Sequence, residues 1–219
     1  MSEAAPGTLT DDPVQVEVLR TETPFTGRVW NIRRDAFAYN GDTIVREYVD
    51  HTGAVAVLAM DDQERVLLIK QYRHPVRARD WEIPAGLLDV AGEDALAAAQ
   101  RELAEEADLT ASRWDVLSDF YTSPGGSDEA IRVYLARDLA PAAEVFARGE
   151  EEADIEVRWA SLDEVVDAVL ARRVQNPSLA IGALAAHAAR ARGWATLAPG
   201  DAPWPQRPRP LGETPGRGA

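Results

Sequence analysis

The sequence predicts an α/β sandwich preceded by a small antiparallel β unit. Segments with strand-like alternation come first along the chain, and helix-like segments are interleaved with strands later. This order differs from the regular strand-helix alternation of a parallel βαβ repeat. With 219 residues, of which 46% are hydrophobic, the chain can bury a substantial core.

Local composition divides the chain into four regions. Residues 1–13 lack an apolar period, so we expect a flexible N-terminus. Residues 14–50 form the antiparallel β unit, and residues 51–196 form the main domain. Residues 197–219 are rich in Pro and Gly, so we expect a tail that is flexible or lies on the surface.

Within the β unit, the dipeptide Asn40-Gly41 predicts a tight hairpin turn. The main domain then has predicted strands in "GAVAVLAM", "RVLLIKQYR", "WEIPAG", "WDVLSDFYTS", "AIRVYLARDL" and "IEVRWAS". A helix is predicted in "EDALAAAQRELAEEA", and two more helices come last. Ser161 begins the first of these two, with Glu164 three residues later as in a capping box, and the second ends at Gly193.

The composition restricts the kinds of partner. A net charge of -14 argues against binding a nucleic acid polymer, because a phosphate backbone requires a basic face. Cysteine is absent and the three histidines are scattered, so a metal site would have to be built from oxygen ligands. No targeting segment or membrane-spanning apolar run is present in the sequence. We therefore expect a soluble, cytoplasmic protein that binds no membrane.

The first predicted helix carries a crowded acidic face. Glu102 and Glu106 are one turn apart, and Glu105 lies on nearly the same face. Like charges at this spacing repel each other, and Arg101 offsets only part of the repulsion by pairing with Glu105. A solvated acidic surface is the ordinary explanation of such a cluster. The alternative is that a cation binds between the carboxylates.

The loop before this helix favours the cation. Gly86 permits a tight backbone path and leaves the carbonyl of Ala85 able to face an ion. That carbonyl with Glu102, Glu106 and an assisting Glu105 forms an oxygen site suited to Mg²⁺ or Mn²⁺. By contrast, the carboxylates at positions 93 and 94 are explained by the dipole at the start of the helix.

The stretch from Gly86 to Leu109 resembles the Nudix box, G-x5-E-x7-R-E-U-x-E-E-x-G-U, where U is aliphatic. The matching residues are Glu93, Arg101, Glu102, Leu103, Glu105 and Glu106. One extra residue separates Gly86 from Glu93, in a loop where length is tolerated. Asp108 replaces the late glycine and can adopt the left-handed conformation. The resemblance implies an α/β/α sandwich with a mixed sheet.

Features outside the box resemble the ADP-ribose pyrophosphatase branch of the Nudix family. They are Pro124, in the stretch "FYTSPGGSDE" after the box, and the stretch "QYRHPV" before it. By this resemblance, Arg73 and Arg46 would grip the diphosphate or the terminal ribose phosphate, and a guanidinium fork suits that task. For Arg46, an ordinary exposed strand arginine is the open alternative.

The same resemblance implies further roles. Glu129 would contact the substrate near the metals, and Trp30 would stack on adenine, although a core or interface tryptophan is the alternative. The branch takes a catalytic glutamate from the loop before the strand "IEVRWAS", for which Glu151 is the first choice and Glu152 the second. A solvated charge run is the other explanation of that loop.

The resemblance thus implies metal-dependent hydrolysis of a nucleoside diphosphate derivative, with ADP-ribose giving AMP and ribose 5-phosphate. Other Nudix substrates stay open, namely nucleotide sugars, dinucleoside polyphosphates and damaged nucleoside triphosphates. So do two non-enzymatic functions, an ADP-ribose sensor and an interaction domain with an acidic helix. Because the branch forms homodimers with exchanged N-terminal segments, we also expect a homodimer.

Overall fold

The structure, a computed structural model, describes residues 9–143 and 155–207. The chain divides into two units, Met1–Asp50 and His51–Ala219, each with its own sheets. Across the described residues, none of the helices has the length and apolar character needed to cross a membrane.

The N-terminal unit is a three-stranded antiparallel sheet in the order β1-β2-β3. Its strands are β1 (Glu17–Thr26), β2 (Asn31–Tyr39) and β3 (Asp42–Asp50). The predicted hairpin joins β2 to β3, with φ of 51° at Asn40 and 87° at Gly41. Positive φ at both central residues gives the turn a twist that matches the strands.

The described part of the second unit contains two sheets and three helices. In chain order, its elements are β4 (Ala54–Ala59), β5 (Arg65–Arg73), β6 (Ala78–Glu82), β7 (Ala85–Leu87), α1 (Ala95–Ala107), β8 (Leu109–Tyr121), β9 (Ala130–Pro141), β10 (Glu156–Ser161), α2 (Leu162–Leu170), α3 (Pro177–Arg190) and β11 (Ala198–Pro199). One sheet has the order β10-β5-β6 and the other β11-β8-β9-β4-β7. The second sheet is mixed, because β4 and β9 are parallel while its other neighbours are antiparallel.

The core lies on both faces of the mixed sheet. Strand β4 is buried along its whole length, and its alternate side chains point to opposite faces. Ala56 and Leu58 belong to the apolar cluster that contains residues of α2 and α3, whereas Val55 and Val57 belong to the cluster that contains residues of α1. The sheet is therefore covered by helices on each face, which confirms the α/β/α sandwich.

The stretch "WEIPAG", expected as one strand, is divided between the two sheets. Strand β6 ends at Glu82 and pairs with β5, and β7 begins at Ala85 and pairs with β4. Pro84 lies between them, where it has no N–H to donate to a strand ladder. Its carbonyl instead accepts the N–H of Val57 at 2.7 Å. The chain therefore crosses here from one sheet to the other.

Short-range signals set the ends of the helices. The side chain of Asp94 caps α1 by accepting the N–H of Ala97 at 2.8 Å. Asp108 ends α1 in the left-handed conformation, with φ of 53° and ψ of 34°, as the sequence predicts. Ser161 caps α2 and accepts the N–H of Glu164 at 3.2 Å, as expected from the capping box.

Part of the C-terminal tail lies on the surface of the second unit. Strand β11 pairs with β8. Beyond it, Arg132 donates to the carbonyl of Ala202 at 2.6 Å, and the hydroxyl of Tyr121 donates to the carbonyl of Gln206 at 2.7 Å. Proline removes donors from the tail but leaves its carbonyls, so side chains of the domain can hold it. The rest of the tail, after residue 207, lies outside the described residues.

Candidate active site

A glycine in β7 makes room for a glutamate of α1. A Cβ added to Gly86 would lie 1.9 Å from Oε1 and 2.0 Å from Cδ of Glu102, so a larger residue would displace the side chain of Glu102 from β7. Gly86 does not have a positive φ. The close approach of Glu102 therefore favours glycine at this position, whereas a left-handed backbone conformation is not the reason for it.

Glu106 is buried against the same strand. Only 5% of the residue is exposed, and its Oε2 accepts the backbone N–H of Ala85 at 2.9 Å. A carboxylate buried without a partner would be costly, so this bond fixes Glu106 to β7. The sequence predicted a role for the carbonyl of Ala85, whereas the structure adds one for its N–H, which orients Glu106.

One guanidinium is shared by three glutamates of the Nudix-like stretch. Arg101 donates to Glu93 through Nε at 3.0 Å and Nη2 at 2.9 Å. Its Nη1 lies 2.5 Å from Glu102 and 3.2 Å from Glu105. The hydrogen bonds between Arg101 and Glu93 raise the pKa of Arg101 and lower the pKa of Glu93. Three carboxylates against one guanidinium leave this cluster negatively charged.

The role expected for Glu93 is corrected by these contacts. Glu93 lies before the N-cap residue of α1 and pairs with Arg101, two turns into the helix. The long arginine side chain points back toward the start of its own helix, which is the direction that helical side chains follow. Glu93 therefore forms one acidic cluster with Glu102, Glu105 and Glu106, instead of serving only the helix dipole.

The carboxylate oxygens of the acidic cluster are suited to a hard divalent cation. Among the described residues, no three His, Cys, Asp or Glu side chains are already arranged to hold a metal ion. Here Glu102 and Glu105 face the guanidinium of Arg101, and Glu106 faces an N–H. Carboxylate oxygens with surplus negative charge are the donors that Mg²⁺ and Mn²⁺ prefer.

Arg73 lies in the other sheet, paired with a carboxylate that the sequence analysis missed. Its Nε and Nη2 donate to the two oxygens of Glu82 at 2.8 and 2.7 Å. Glu82 is 2% exposed, whereas 41% of the Arg73 side chain is exposed. The available signal was an acidic residue inside the apolar stretch "WEIPA". The buried carboxylate of Glu82 therefore holds the partly exposed side chain of Arg73 in place.

Glu129 is held by two side chains. Its Oε2 accepts the hydroxyl of Thr122 at 2.7 Å, and its Oε1 lies 3.2 Å from Nε2 of His51. Burial lowers the pKa of His51, although the negative charges of Glu129 and Asp128 oppose this. Nδ1 of His51 accepts the N–H of Gly53 at 2.9 Å, so Nε2 carries the proton of the neutral ring. His51 therefore donates to Glu129.

Within the second unit, no described contact brings Pro124 to the acidic cluster. Pro124 is exposed in a turn in which the carbonyl of Ser123 accepts the N–H of Gly126 at 2.8 Å. Arg46 and Trp30 belong to the N-terminal unit. Arg46 is exposed and donates to the carbonyl of Val45 at 2.8 Å.

Trp30 is half-buried, and its carbonyl accepts the N–H of Gly27 at 3.0 Å. The two candidates for the catalytic base, Glu151 and Glu152, lie outside the described residues. The roles of these residues stay predictions.

Comparison with known proteins decides the family. A sequence model described as the NUDIX domain matches residues 50–180. An ADP-ribose pyrophosphatase of Mycobacterium tuberculosis is 45% identical over 193 residues, which is 88% of this chain and 92% of that protein. The chain belongs to the Nudix family. The stretch from Gly86 to Leu109 is therefore its Nudix box, in spite of the extra loop residue and Asp108.

Other similarities agree with this Nudix assignment. An ADP-ribose pyrophosphatase of Bacillus subtilis is 36% identical over 168 residues, covering 76% of this chain and 90% of that protein. A crystal structure of an ADP compounds hydrolase superposes with a TM-score of 0.64, covering 84% of this chain and 99% of that chain. Its sequence identity is 20%, so it supports the fold alone.

Proposed function

We propose that this Nudix hydrolase cleaves the pyrophosphate bond of ADP-ribose to give AMP and ribose 5-phosphate. The observation that carries the proposal is the convergence of two box glutamates on β7. Glu102 packs against Gly86, and Glu106 binds the N–H of Ala85. ADP-ribose is the substrate best supported, because both bacterial relatives are named as ADP-ribose pyrophosphatases.

A divalent cation would be held by Glu102 and Glu106, assisted by Glu105 and the carbonyl of Ala85. Nudix hydrolases generally require such an ion, and Mg²⁺ is our choice, with Mn²⁺ as the alternative. When bound, it supplies neutralisation of the pyrophosphate charge and a water with a lowered pKa. The surplus negative charge around Arg101 supports this assignment.

The side chains of this chain then bind and orient the substrate. Arg73 grips the diphosphate with the Nη1 edge of its guanidinium, whose Nε and Nη2 are held by Glu82. Glu129, oriented by His51 and Thr122, contacts the substrate near the metal ions. Glu151 takes the proton of the attacking water, with Glu152 as the alternative.

The N-terminal unit serves a homodimer in this proposal, in which Arg46 and Trp30 contact the substrate and Pro124 shapes its pocket. Apolar side chains exposed on its three-stranded sheet support an interface. They are Val18, Leu19, Phe25 and Val45. Light scattering tests this part, since a monomer mass would remove it. A cytoplasmic location stays a prediction from the sequence.

The experiment is incubation of the purified protein with ADP-ribose and Mg²⁺, with and without EDTA, followed by chromatography of the nucleotides. We expect AMP only when the metal is present. If ADP-ribose stays intact, the same assay is run on a nucleotide sugar, a dinucleoside polyphosphate and a nucleoside triphosphate. Cleavage of one of these replaces ADP-ribose as the substrate. Tight calorimetric binding of ADP-ribose without any product would indicate a sensor.

A further inference from the structure

Glu82 is a buried carboxylate at the point where the chain leaves one sheet for the other. It is 2% exposed and lies opposite Ile69, which is fully buried, in the β5-β6 ladder. Folding alone does not favour a carboxylate there, because apolar residues of similar volume usually stabilise a buried position as well as a buried ion pair or better. The charge at Glu82 therefore needs an explanation other than stability.

The explanation lies in the asymmetry of its pair with Arg73. Both oxygens of Glu82 accept from Arg73, at 2.8 and 2.7 Å, which fixes the plane of the guanidinium as well as its position. The carboxylate is buried, but 41% of the Arg73 side chain is exposed. An exposed arginine would otherwise lose much rotamer freedom on binding an anion. Glu82 removes that freedom before the substrate arrives.

A neighbouring ion pair shows what an ordinary pair looks like in the same sheet. Arg79 of β6 and Glu156 of β10 make a contact at 2.9 Å. Their side chains are 37% and 52% exposed, so both ends are solvated. Such surface pairs contribute little and fix little. The buried, bidentate carboxylate distinguishes the Glu82–Arg73 pair from it.

The segment 82–86 also relates Arg73 to the acidic cluster. Its first residue holds Arg73, the N–H of Ala85 holds Glu106, and Gly86 receives Glu102. Pro84 lies between and is tied to β4 through its carbonyl. The arginine and the two box glutamates are therefore positioned by one short piece of chain, which is buried at residues 82–84.

We propose that Glu82 is a positioning residue that holds Arg73 in the orientation in which it binds the diphosphate of the substrate. This inference rests on the proposed function, in which Arg73 contacts the diphosphate. Glu82 itself does not touch the substrate. Its Oε2 also accepts from Nε2 of the buried Gln71 at 3.5 Å. The effect of Glu82 on substrate binding is exerted through Arg73, so this effect must disappear when Arg73 no longer presents a guanidinium fork.

A double-mutant cycle tests this dependence. The wild type, Glu82→Gln, Arg73→Lys and the double variant are compared by kcat and KM for ADP-ribose at saturating Mg²⁺. Glu82→Gln should lower kcat/KM by about 100-fold, the size that a misplaced binding group produces. Most of the loss should be a higher KM, because Arg73 binds the ground state as well as the transition state. In the Arg73→Lys background, the same change should have less than about a twofold effect.

Two readouts separate positioning from a general loss of structure. The Mg²⁺ concentration for half-maximal activity should be unchanged in Glu82→Gln, whereas collapse of the segment 82–86 would disturb the metal-binding glutamates too. Glu156→Gln is the matched control, since it makes the same change opposite Arg79 in the same sheet, and its kinetics should equal those of the wild type. If Glu82→Gln does not fold, Glu82→Asp replaces it, because it keeps the charge but withdraws it from Arg73.

The possible results distinguish a failure of the role proposed for Glu82 from a failure of the proposed function. Additive losses in the cycle, or a loss of Mg²⁺ activation that parallels the rise in KM, would overturn the role of Glu82 while leaving the proposed function intact. If the wild type cleaves a different diphosphate and not ADP-ribose, the substrate assignment fails and the cycle is measured on that compound. Non-additive loss there would still support Glu82 as the residue that positions Arg73.

Discussion

Two arginines of the second unit hold carboxylates in contrasting ways. The side chain of Arg132 is 4% exposed, and it donates to both oxygens of Asp119 at 2.8 and 2.9 Å. It also donates to the carbonyls of Ala202 and Pro203, and it lies 4.8 Å from the ring of Trp204. One cation faces one anion, so the charges balance.

Arg101 is 30% exposed and faces the carboxylates of Glu93, Glu102 and Glu105, with Glu106 buried against the neighbouring strand. Here one cation faces several anions, so negative charge remains. The difference shows that an arginine-carboxylate cluster has to be judged by the balance of its positive and negative charges. A balanced, buried cluster joins parts of the fold, whereas an unbalanced and partly exposed one is suited to a further cation.

The largest expected effect concerns catalysis at the unbalanced cluster. Glu106→Gln keeps an oxygen for the N–H of Ala85 but removes the charge. We expect kcat to fall by roughly 1,000-fold, which is the scale of losing one electrostatic contact to a transition state. Asp119→Asn, the same kind of change at the balanced cluster, should leave kcat within a few-fold of the wild type. Steady-state kinetics with ADP-ribose and Mg²⁺ measure both. Near-normal turnover in Glu106→Gln would remove the metal-site assignment.

The free energy of unfolding should depend more on the balanced cluster than on the unbalanced one. Asp119→Asn leaves the buried guanidinium of Arg132 without its carboxylate, and we expect a loss of about 3 kcal/mol in the free energy of unfolding. Glu105→Gln, whose side chain is 38% exposed, should change it by less than about 0.5 kcal/mol. Urea denaturation in EDTA measures both values. Equal losses would mean that the two clusters contribute alike to the fold, against the distinction drawn between them.

The parts of the molecule that the sequence predicts are those decided by short stretches of chain. The turn at Asn40-Gly41, the cap at Ser161 and the left-handed Asp108 each depend on the conformation of a few neighbouring residues. The acidic face of α1 is equally local, because helical periodicity places Glu102 and Glu106 together. The hypothesis of an oxygen-lined metal site follows from the same periodicity.

The parts that the sequence analysis missed depend on contacts between distant segments. Glu82 lies opposite Ile69 in the β5-β6 ladder and meets Arg73 by reaching along β5, and Arg132 meets Ala202 although 70 positions separate them in the chain. The reason for Gly86 was also missed, because the close approach of a side chain from α1 is a property of packing. No periodic pattern encodes such contacts. A buried charge inside an apolar stretch was the one signal available.

Metal binding gives the next largest effect. A cation that binds only the folded state stabilises it, by about 2.7 kcal/mol when its concentration is 100 times its dissociation constant. We expect Mg²⁺ to raise the Tm of the wild type and of Asp119→Asn equally. Glu102→Gln should lose most of the rise. A full rise in Glu102→Gln would show that the ion binds elsewhere. Thermal unfolding monitored by circular dichroism, with EDTA as the reference, is the measurement.

The smallest expected effect is a pH dependence of the stability that the unbalanced cluster contributes in the absence of metal. Arg101 lowers the pKa of Glu93 below its ordinary value of 4.5. The folded state therefore holds this proton less tightly than the unfolded state, so the contribution of Glu93 to stability is complete above pH 4.5. It is lost as the pH falls through the lower, folded value.

Glu93→Gln should accordingly be less stable than the wild type near neutral pH in EDTA, because its amide pairs less strongly with Arg101. The difference in the free energy of unfolding should shrink as the pH falls from 4.5, where the unfolded state becomes protonated, through the lower pKa of the folded state, where the wild-type carboxylate is protonated too. Urea midpoints of the two proteins over a series of pH values measure it. A difference that does not change with pH would mean that Arg101 is neutralised by Glu102 and Glu105 alone, and that Glu93 lies outside the charge balance of the cluster.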